Sequence, residues 1–151
     1  MTVEVDDEME GRLVEKAEYV EAAVGVLARK QSLDAETYRT DREQRAIVER
    51  EFQTAIQACI DVAGLLIGAS DEAMPETNAE RFEKLHELGV LSEETAERMR
   101  SAAGFRNVLA HEYGTEIDDE RVYRHLQTEL DAFVTFLEEV RAALDGGIPD
   151  T

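Results

Sequence analysis

Residues 47–67, with the sequence IVEREFQTAIQACIDVAGLLI, form the most apolar long stretch of this 151-residue chain. Apolar side chains recur there at steps of three and four residues, which is the spacing of one face of an α-helix. They are Ile47, Val48, Phe52, Ile56, Cys59, Ile60, Ala63 and Ile67. The pattern predicts a helix at the centre of the hydrophobic core. Because Cys59 is the only cysteine and falls in this run, we expect a buried thiol and no disulfide within the chain.

Further helices are predicted on both sides of this stretch. The central helix should begin near Asp34, with a bend or break between residues 38 and 41, where capping and charged residues interrupt the apolar pattern. Amphipathic patterns predict other helices over residues 7–29 and 79–88, one that begins at Glu93 after a cap at Ser92 and runs toward residues 105–114, and one continuous helix from 118 or 119 to 144. Residues 68–78 hold glycine, proline and capping residues without a period, so they predict a loop.

The composition favours the all-α class. The chain has two prolines and no tryptophan, and no segment alternates apolar and polar residues as a half-buried strand requires. We therefore predict an all-α, up-and-down four-helix bundle with one or two extra short helices. The length fits a single domain over residues 1–151, with frayed ends at about 1–6 and 146–151. No membrane-spanning stretch or export signal is visible, so we expect a cytoplasmic protein.

The charge of the chain is strongly acidic. The formal net charge is −19, from 35 acidic and 16 basic residues. Such a charge repels itself at low salt, whereas at ~1 M salt the Debye length falls to ~3 Å and the repulsion is screened. The acidic residues are spread along every predicted helix and form no concentrated block for a basic partner. We therefore expect adaptation to a high-salt cytosol, as in a halophilic archaeon.

Residues 105–114, FRNVLAHEYG, concentrate unlike reactive groups as no other segment does. Arg106 is a permanent cation whose planar fork of donors suits phosphate oxygens. The imidazole of His111 can carry a proton near neutral pH. Asn107 and Tyr113 add an amide and a phenol to the same run. Arg106 and His111 together suit phosphoryl-ester chemistry, and we predict no metal or other cofactor.

The run RNVLAHEY resembles the Arg-x4-His signature of the HEPN superfamily and, more narrowly, the HepT-like toxins; the helical layout of residues 8–145 resembles theirs more loosely. The resemblance implies a small all-helical endoribonuclease, the toxin of a toxin–antitoxin pair, acting as a homodimer whose two motifs line one cleft. It also implies RNA as the substrate and a minimal nucleotidyltransferase as the antitoxin. Tyr113 is then the residue to which that partner adds AMP.

Each motif residue has an expected role in RNA cleavage. His111 is the predicted general acid/base, and Arg106 the predicted stabiliser of the charge that develops on the phosphate. Asn107 would orient His111 or donate to phosphate, and Tyr113 would line the cleft. In a regular helix Arg106 and His111 point about 140° apart, so one chain cannot aim both into one small pocket. Either the helix loosens before Gly114, or two copies of the motif-bearing helix meet across a twofold axis.

Other interpretations of the motif remain open. Arg106 and His111 can cap a helix end, because Gly114 follows and cations near a helix C-terminus interact favourably with its dipole. A catalytically silent helical module that binds a nucleotidyltransferase or a nucleotide is the main alternative function. The spacing Glu83-x-x-His86 matches part of a di-iron motif, but no second copy exists, so it predicts a surface histidine.

Arginines on either side of the motif raise a related question, since RNA binding normally rests on a local concentration of cations. They are Arg98 and Arg100 before the motif, Arg106 within it, and Arg121 and Arg124 after it. They form a cationic cleft in one interpretation and pair with neighbouring carboxylates along the helix surface in the other.

Overall fold

The computed structural model describes residues 4–109 and 118–145, and every regular element within those ranges is a helix. In chain order the helices are α1 (Asp7–Lys30), α2 (Ala35–Thr40), α3 (Arg42–Gly68), α4 (Asn78–Glu87), α5 (Glu93–Leu109), α6 (Asp119–Thr128) and α7 (Leu130–Asp145). The predicted all-α class is confirmed. None of these helices has both the length and the apolar character needed to cross a bilayer.

The four long helices α1, α3, α5 and α7 pack around one hydrophobic core, and α3 contacts every other described helix. The ring of Phe52 on α3 meets Phe105 of α5 edge to face, with 5.3 Å between ring centroids, and lies 6.4 Å from Phe133 of α7. Cys59 is fully buried, and burial raises the pKa of its thiol. The expectations of a central helix and a structural thiol are therefore confirmed.

Asp41 separates α2 from α3. Its backbone is extended, at φ −99° and ψ 99°, and its N–H donates to the Thr37 carbonyl at the end of α2. Its carboxylate accepts from the N–H of Gln44 in the first turn of α3. One residue thus closes one helix and caps the next, which satisfies polar groups that helix ends otherwise leave without partners. The predicted break between residues 38 and 41 is confirmed.

The turn between α4 and α5 sets the direction of the helix that carries the motif. Gly89 ends α4 at φ +81°, a conformation that residues with a side chain rarely adopt. His86 lies half-buried beside this turn, with its ring Nδ1 2.9 Å from the Leu91 carbonyl. The Ser92 hydroxyl then accepts from the N–H of Thr95 at 3.2 Å, so α5 begins at the predicted cap.

The last helix is not continuous, which corrects the prediction of one helix from 118 or 119 to 144. Glu129 separates α6 from α7, so the described part of the bundle has three short helices where one or two were expected. Thr128 donates its hydroxyl to the Arg124 carbonyl, a contact that often bends helices. The side-chain amide of Gln31 donates to the Leu126 carbonyl at 2.9 Å, supplying a partner at the interrupted turn.

Candidate active site

The first half of the motif lies at the C-terminal end of α5. Arg106 and Asn107 lie in its last turn, half-buried and exposed respectively. His111 and Tyr113 fall in residues 110–117, outside the part of the chain that the structure describes. Leu109, the last residue of α5, precedes His111 by two positions in the sequence. The geometry around the end of α5 therefore defines the neighbourhood of the predicted site.

Arg106 lines an open groove of about 350 Å³ between α1, α3 and α5. The other lining residues are Lys16 and Tyr19 from α1, with Gln53, Thr54, Gln57, Ala58 and Asp61 from α3. Lys16 forms an ion pair with Asp61 at 3.1 Å, whereas Arg106 forms none with any carboxylate in residues 4–109 and 118–145. Arg106 thus borders a groove whose other walls are mostly polar faces of α1 and α3.

Gln53 ties the end of α5 to α3. Its side-chain amide donates to the carbonyl of Leu109 at 3.1 Å. Where the chain returns, Asp119 lies 3.7 Å from the guanidinium of Arg45, two turns before Gln53 on α3. The described residues on both sides of 110–117, Leu109 and Asp119, are therefore both held against α3.

Asn107 lies on a different side of α5 from Arg106. It lines a second groove with residues 76–79 and with Arg100, Ala103 and Gly104. Successive residues of a helix are turned by about 100°, which accounts for the separation. The described half of the motif therefore opens onto two grooves, and one chain does not bring the Arg106 and Asn107 side chains into a common pocket.

The other arginines near the motif do not join Arg106 in one cleft. Arg98 donates to both oxygens of Asp131, at 2.8 and 3.0 Å, and also pairs with Glu129 at 3.6 Å. Arg100 pairs with Glu83, so the interpretation of ordinary ion pairing holds for both arginines.

The two arginines of α6 have different neighbours again. Arg121 lies 5.9 Å from the centre of the Phe105 ring, and Arg124 lines a separate groove between α2 and α6. Within one chain, the interpretation of a single cationic cleft therefore finds no support for Arg121 and Arg124, because α5 and α6 direct their arginines to different surfaces.

His125 is a histidine near the motif that sequence reasoning did not single out. Its ring stacks on Phe105, with centroids 3.9 Å apart and planes 14° apart. Burial lowers the pKa of His125, with Arg121 and Arg124 acting in the same direction and Glu129 opposing them. A neutral, packed imidazole therefore supports the residue next to Arg106. The only signal in the sequence was the position of His125 on the inward side of α6.

The other histidine considered, His86, has a structural role. It lies at the turn between α4 and α5, and Glu83 of the same Glu-x-x-His spacing is engaged by Arg100. Across residues 4–109 and 118–145, no three His, Cys, Asp or Glu side chains come together in a way that would hold a metal ion. The di-iron interpretation therefore finds no support in the described residues.

The sequence matches the family described as ribonuclease HepT-like over residues 15–140. A tRNA nuclease HepT from Aphanizomenon flos-aquae is 27% identical over 114 residues, covering 76% of this chain and 77% of that protein. An mRNA nuclease HepT from Shewanella oneidensis is 22% identical over 109 residues, covering 72% of this chain and 81% of that protein.

Solved structures share the fold. A crystal structure of a toxin–antitoxin with AMP-PNP has a TM-score of 0.80 at 18% identity, covering 87% of this chain and 98% of that chain. The tri-AMPylated HEPN toxin of Shewanella oneidensis in complex with MNT antitoxin has a TM-score of 0.79 at 19% identity, covering 91% of this chain and 99% of that chain. The HEPN-like fold predicted from the motif is therefore confirmed. The chain belongs to the ribonuclease HepT-like family.

Proposed function

We propose that this chain is the toxin of a toxin–antitoxin pair and a metal-independent endoribonuclease that cuts RNA with Arg106 and His111. The observation that carries the proposal is the Arg106 guanidinium, which lies in an open groove at the end of α5, next to the point where the chain continues to His111. Two relatives described as nucleases of tRNA and of mRNA support the same class of substrate. A guanidinium and an imidazole that are close together in the sequence are suited to RNA cleavage, so we favour this role over helix capping alone.

The proposed reaction is attack of a ribose 2′-OH on the adjacent phosphorus. The P–O5′ bond breaks, leaving a cyclic phosphate and a free 5′-OH, so only RNA can react. Arg106 stabilises the negative charge that develops on the phosphate oxygens. The His111 imidazole accepts the proton of the 2′-OH or donates one to the leaving oxygen. Asn107 orients the imidazole or donates to phosphate, and Tyr113 lines the cleft.

We infer that the complete site forms between two copies of the chain. Arg106 and Asn107 open onto different sides of α5. In a helix that stayed regular through the motif, His111 would point about 140° away from Arg106. Two motif-bearing helices facing each other supply guanidinium and imidazole groups to one cleft, so that the guanidinium of one chain acts with the imidazole of the other.

The direct test is RNA cleavage by the wild type and by His111→Ala, with Arg29→Ala as a matched control. Arg29 is an exposed arginine at the end of α1, away from the Arg106 groove. We expect His111→Ala to lose about 10²- to 10⁴-fold in rate, the usual contribution of a general acid/base. Arg29→Ala should cleave like the wild type. Equal rates for wild type and His111→Ala, or no cleavage by either, would favour the catalytically silent binding module.

The proposed antitoxin is a minimal nucleotidyltransferase that adds AMP to Tyr113. The support is the structural neighbour described as a tri-AMPylated HEPN toxin in complex with MNT antitoxin. An added AMP near Arg106 would block substrate by bulk and by neutralising the cation. Mass spectrometry after co-expression with the partner should find AMP on Tyr113 and none at this position in Tyr113→Phe. An unmodified Tyr113 in an inhibited complex would contradict this mechanism.

We also propose that the chain folds as one domain in a high-salt cytoplasm, as in a halophilic archaeon. The net charge of −19 supports this, since salt screens the repulsion. Thermal unfolding should show one transition, with a higher midpoint in about 2 M than in about 0.1 M KCl. A midpoint that is unchanged or lower at high salt would contradict the adaptation, and two separate transitions would contradict the single domain.

A further inference from the structure

We propose that the groove between α1, α3 and α5 binds a single-stranded segment of RNA, with Tyr19 as the surface on which a base stacks. Lys16 and Arg106 contact phosphate in this arrangement. The inference rests on the proposed ribonuclease function and deepens it by giving the substrate strand a course from the motif toward α1. Tyr19 and Lys16 lie 87 and 90 residues before Arg106 in the chain, and the fold brings all three to one groove.

Tyr19 is an unusual residue on the surface of α1. Its side chain is 51% exposed, whereas Tyr38 is buried and Tyr123 is half-buried with its hydroxyl bonded to the Leu33 carbonyl. The ammonium of Lys16 lies 5.9 Å from the centre of the Tyr19 ring, and both residues line the groove. A half-exposed aromatic ring with a cation over one face is a combination that proteins use to hold an unpaired nucleotide.

The rest of the groove suits a nucleotide rather than a cation. Gln53, Thr54 and Gln57 line the groove along α3 with uncharged side chains, and the amides of Gln53 and Gln57 donate to the Leu109 carbonyl and to Asp61. Lys16 and Arg106 outnumber the one carboxylate of the groove, Asp61, although the chain as a whole carries −19. The groove volume of about 350 Å³ falls in the usual range for ligand sites.

The balance of charges favours stacking as the main source of affinity. Binding through phosphate contacts alone weakens steeply with salt, and the acidic surface of this chain repels RNA at long range. Stacking on an aromatic ring and hydrogen bonds to neutral amides depend less on ionic strength. A base must leave its helix to stack on a side chain, so the groove should select single-stranded over duplex RNA.

The test measures binding separately from cleavage. The host is full-length His111→Ala, and the probe is a fluorescein-labelled oligoadenylate of about 12 nucleotides, within the range of single-strand site sizes. Fluorescence anisotropy should show that Tyr19→Ala weakens binding about tenfold, while Tyr19→Phe recovers most of the affinity. The matched control is Val14→Ala, because Val14 is also 51% exposed on α1 but lies outside this groove. The same oligonucleotide in a duplex should bind less tightly than the single strand.

Two further variants test the role of charge in the same host. Asp61→Asn removes the carboxylate that pairs with Lys16 and retains the shape of the side chain, so the probe should bind severalfold more tightly. Arg106→Gln should reduce the slope of log affinity against log salt by about 0.7, the value for one phosphate contact on a single strand. A slope that stays the same would place Arg106 away from the bound strand.

The outcomes separate this inference from the proposed function. If wild type cuts RNA and Tyr19→Ala binds the probe like its host, the groove assignment is wrong and the ribonuclease stands. If wild type cuts no RNA but Tyr19→Ala still weakens binding, the groove stands and catalysis is wrong. If the His111→Ala host itself does not bind the labelled oligoadenylate, the groove assignment is wrong. A Tyr19→Ala protein of smaller assembly mass than its host would assign Tyr19 to contact between copies and also overturn it.

Discussion

Arg98 and Arg106 lie eight residues apart on the same helix and have opposite surroundings. Arg98 holds Asp131 through two hydrogen bonds and has Glu129 nearby. Arg106 faces a groove, and within the described ranges no carboxylate forms an ion pair with it. Other arginines in the described ranges, such as Arg50 and Arg121, also form no ion pair there, so the feature that distinguishes Arg106 is the polar groove that it lines. The difference shows that Arg98 joins α5 to α7, whereas we propose that Arg106 serves a ligand.

The largest expected effect is that of removing the Arg106 guanidinium. Arg106→Ala should slow RNA cleavage by about 10²- to 10³-fold, a typical loss for one group that stabilises transition-state charge. Arg106→Lys should recover only part of the rate, because an ammonium lacks the planar fork of donors. Single-turnover cleavage assays measure both. Arg98→Ala is the control, and equal rates for the Arg98→Ala and Arg106→Ala variants would remove the distinction between the two arginines.

The next effect concerns how the end of α5 is held. Gln53→Ala loses the hydrogen bond to the Leu109 carbonyl, and small misplacements of catalytic groups are costly, so kcat should fall about tenfold. Gln127→Ala is a matched control, because its amide also donates to a main-chain carbonyl, that of Gln31, far from the motif. Both variants should lose about 1 kcal/mol of stability. A Gln53→Ala enzyme with wild-type kcat would show that this anchor does not matter.

A smaller effect is expected for Arg98→Ala, this time on stability. Asp131 is largely exposed, so we expect a loss of about 0.5–1 kcal/mol in the free energy of unfolding at pH 7. The hydrogen bonds from Arg98 hold the pKa of Asp131 below its usual value. Their stabilisation is therefore present above about pH 4 and is lost as the pH falls through the lowered pKa. Denaturant unfolding of wild type and variant should converge at acidic pH, and a constant difference would contradict this origin.

The smallest effect is expected from His125, which packs beneath the motif. Burial lowers the pKa of its imidazole in the folded chain, so the unfolded chain binds a proton more readily. Stability should therefore be full above about pH 6.5 and decline as the pH falls below it. His125→Phe retains the stack on Phe105 without a titrating group, so its thermal midpoint should decline less between pH 7 and pH 5. Identical declines for the two proteins would rule out this contribution.

Local signals allowed much of the fold to be predicted. The apolar period of α3, the break at Asp41 and the cap at Ser92 all depend on residues close in sequence. The break at Glu129 was missed because the apolar period continues through it. The side-chain amide that accompanies the break comes from Gln31, the residue just after α1, in a contact across 95 residues.

The candidate site, too, could be predicted only in part from the sequence. The motif located Arg106, but the partners of Arg98 and Arg100 lie 33 and 17 residues away, so their pairing was not visible from the chain alone. Tyr19 left a faint signal, since an aromatic residue stood outside the apolar stripe of α1. Its place beside Arg106 follows only from how α1 packs on α3.

The most direct test of a shared site is to mix two inactive chains. Arg106→Ala and His111→Ala are co-expressed with different tags, the mixed pair is purified through both tags, and RNA cleavage is measured. A cleft built from two copies retains one guanidinium and one imidazole in the mixed pair, so the account predicts clear recovery of activity over either variant alone. A mixed pair as inactive as both parents would contradict a site in which the two motifs act together.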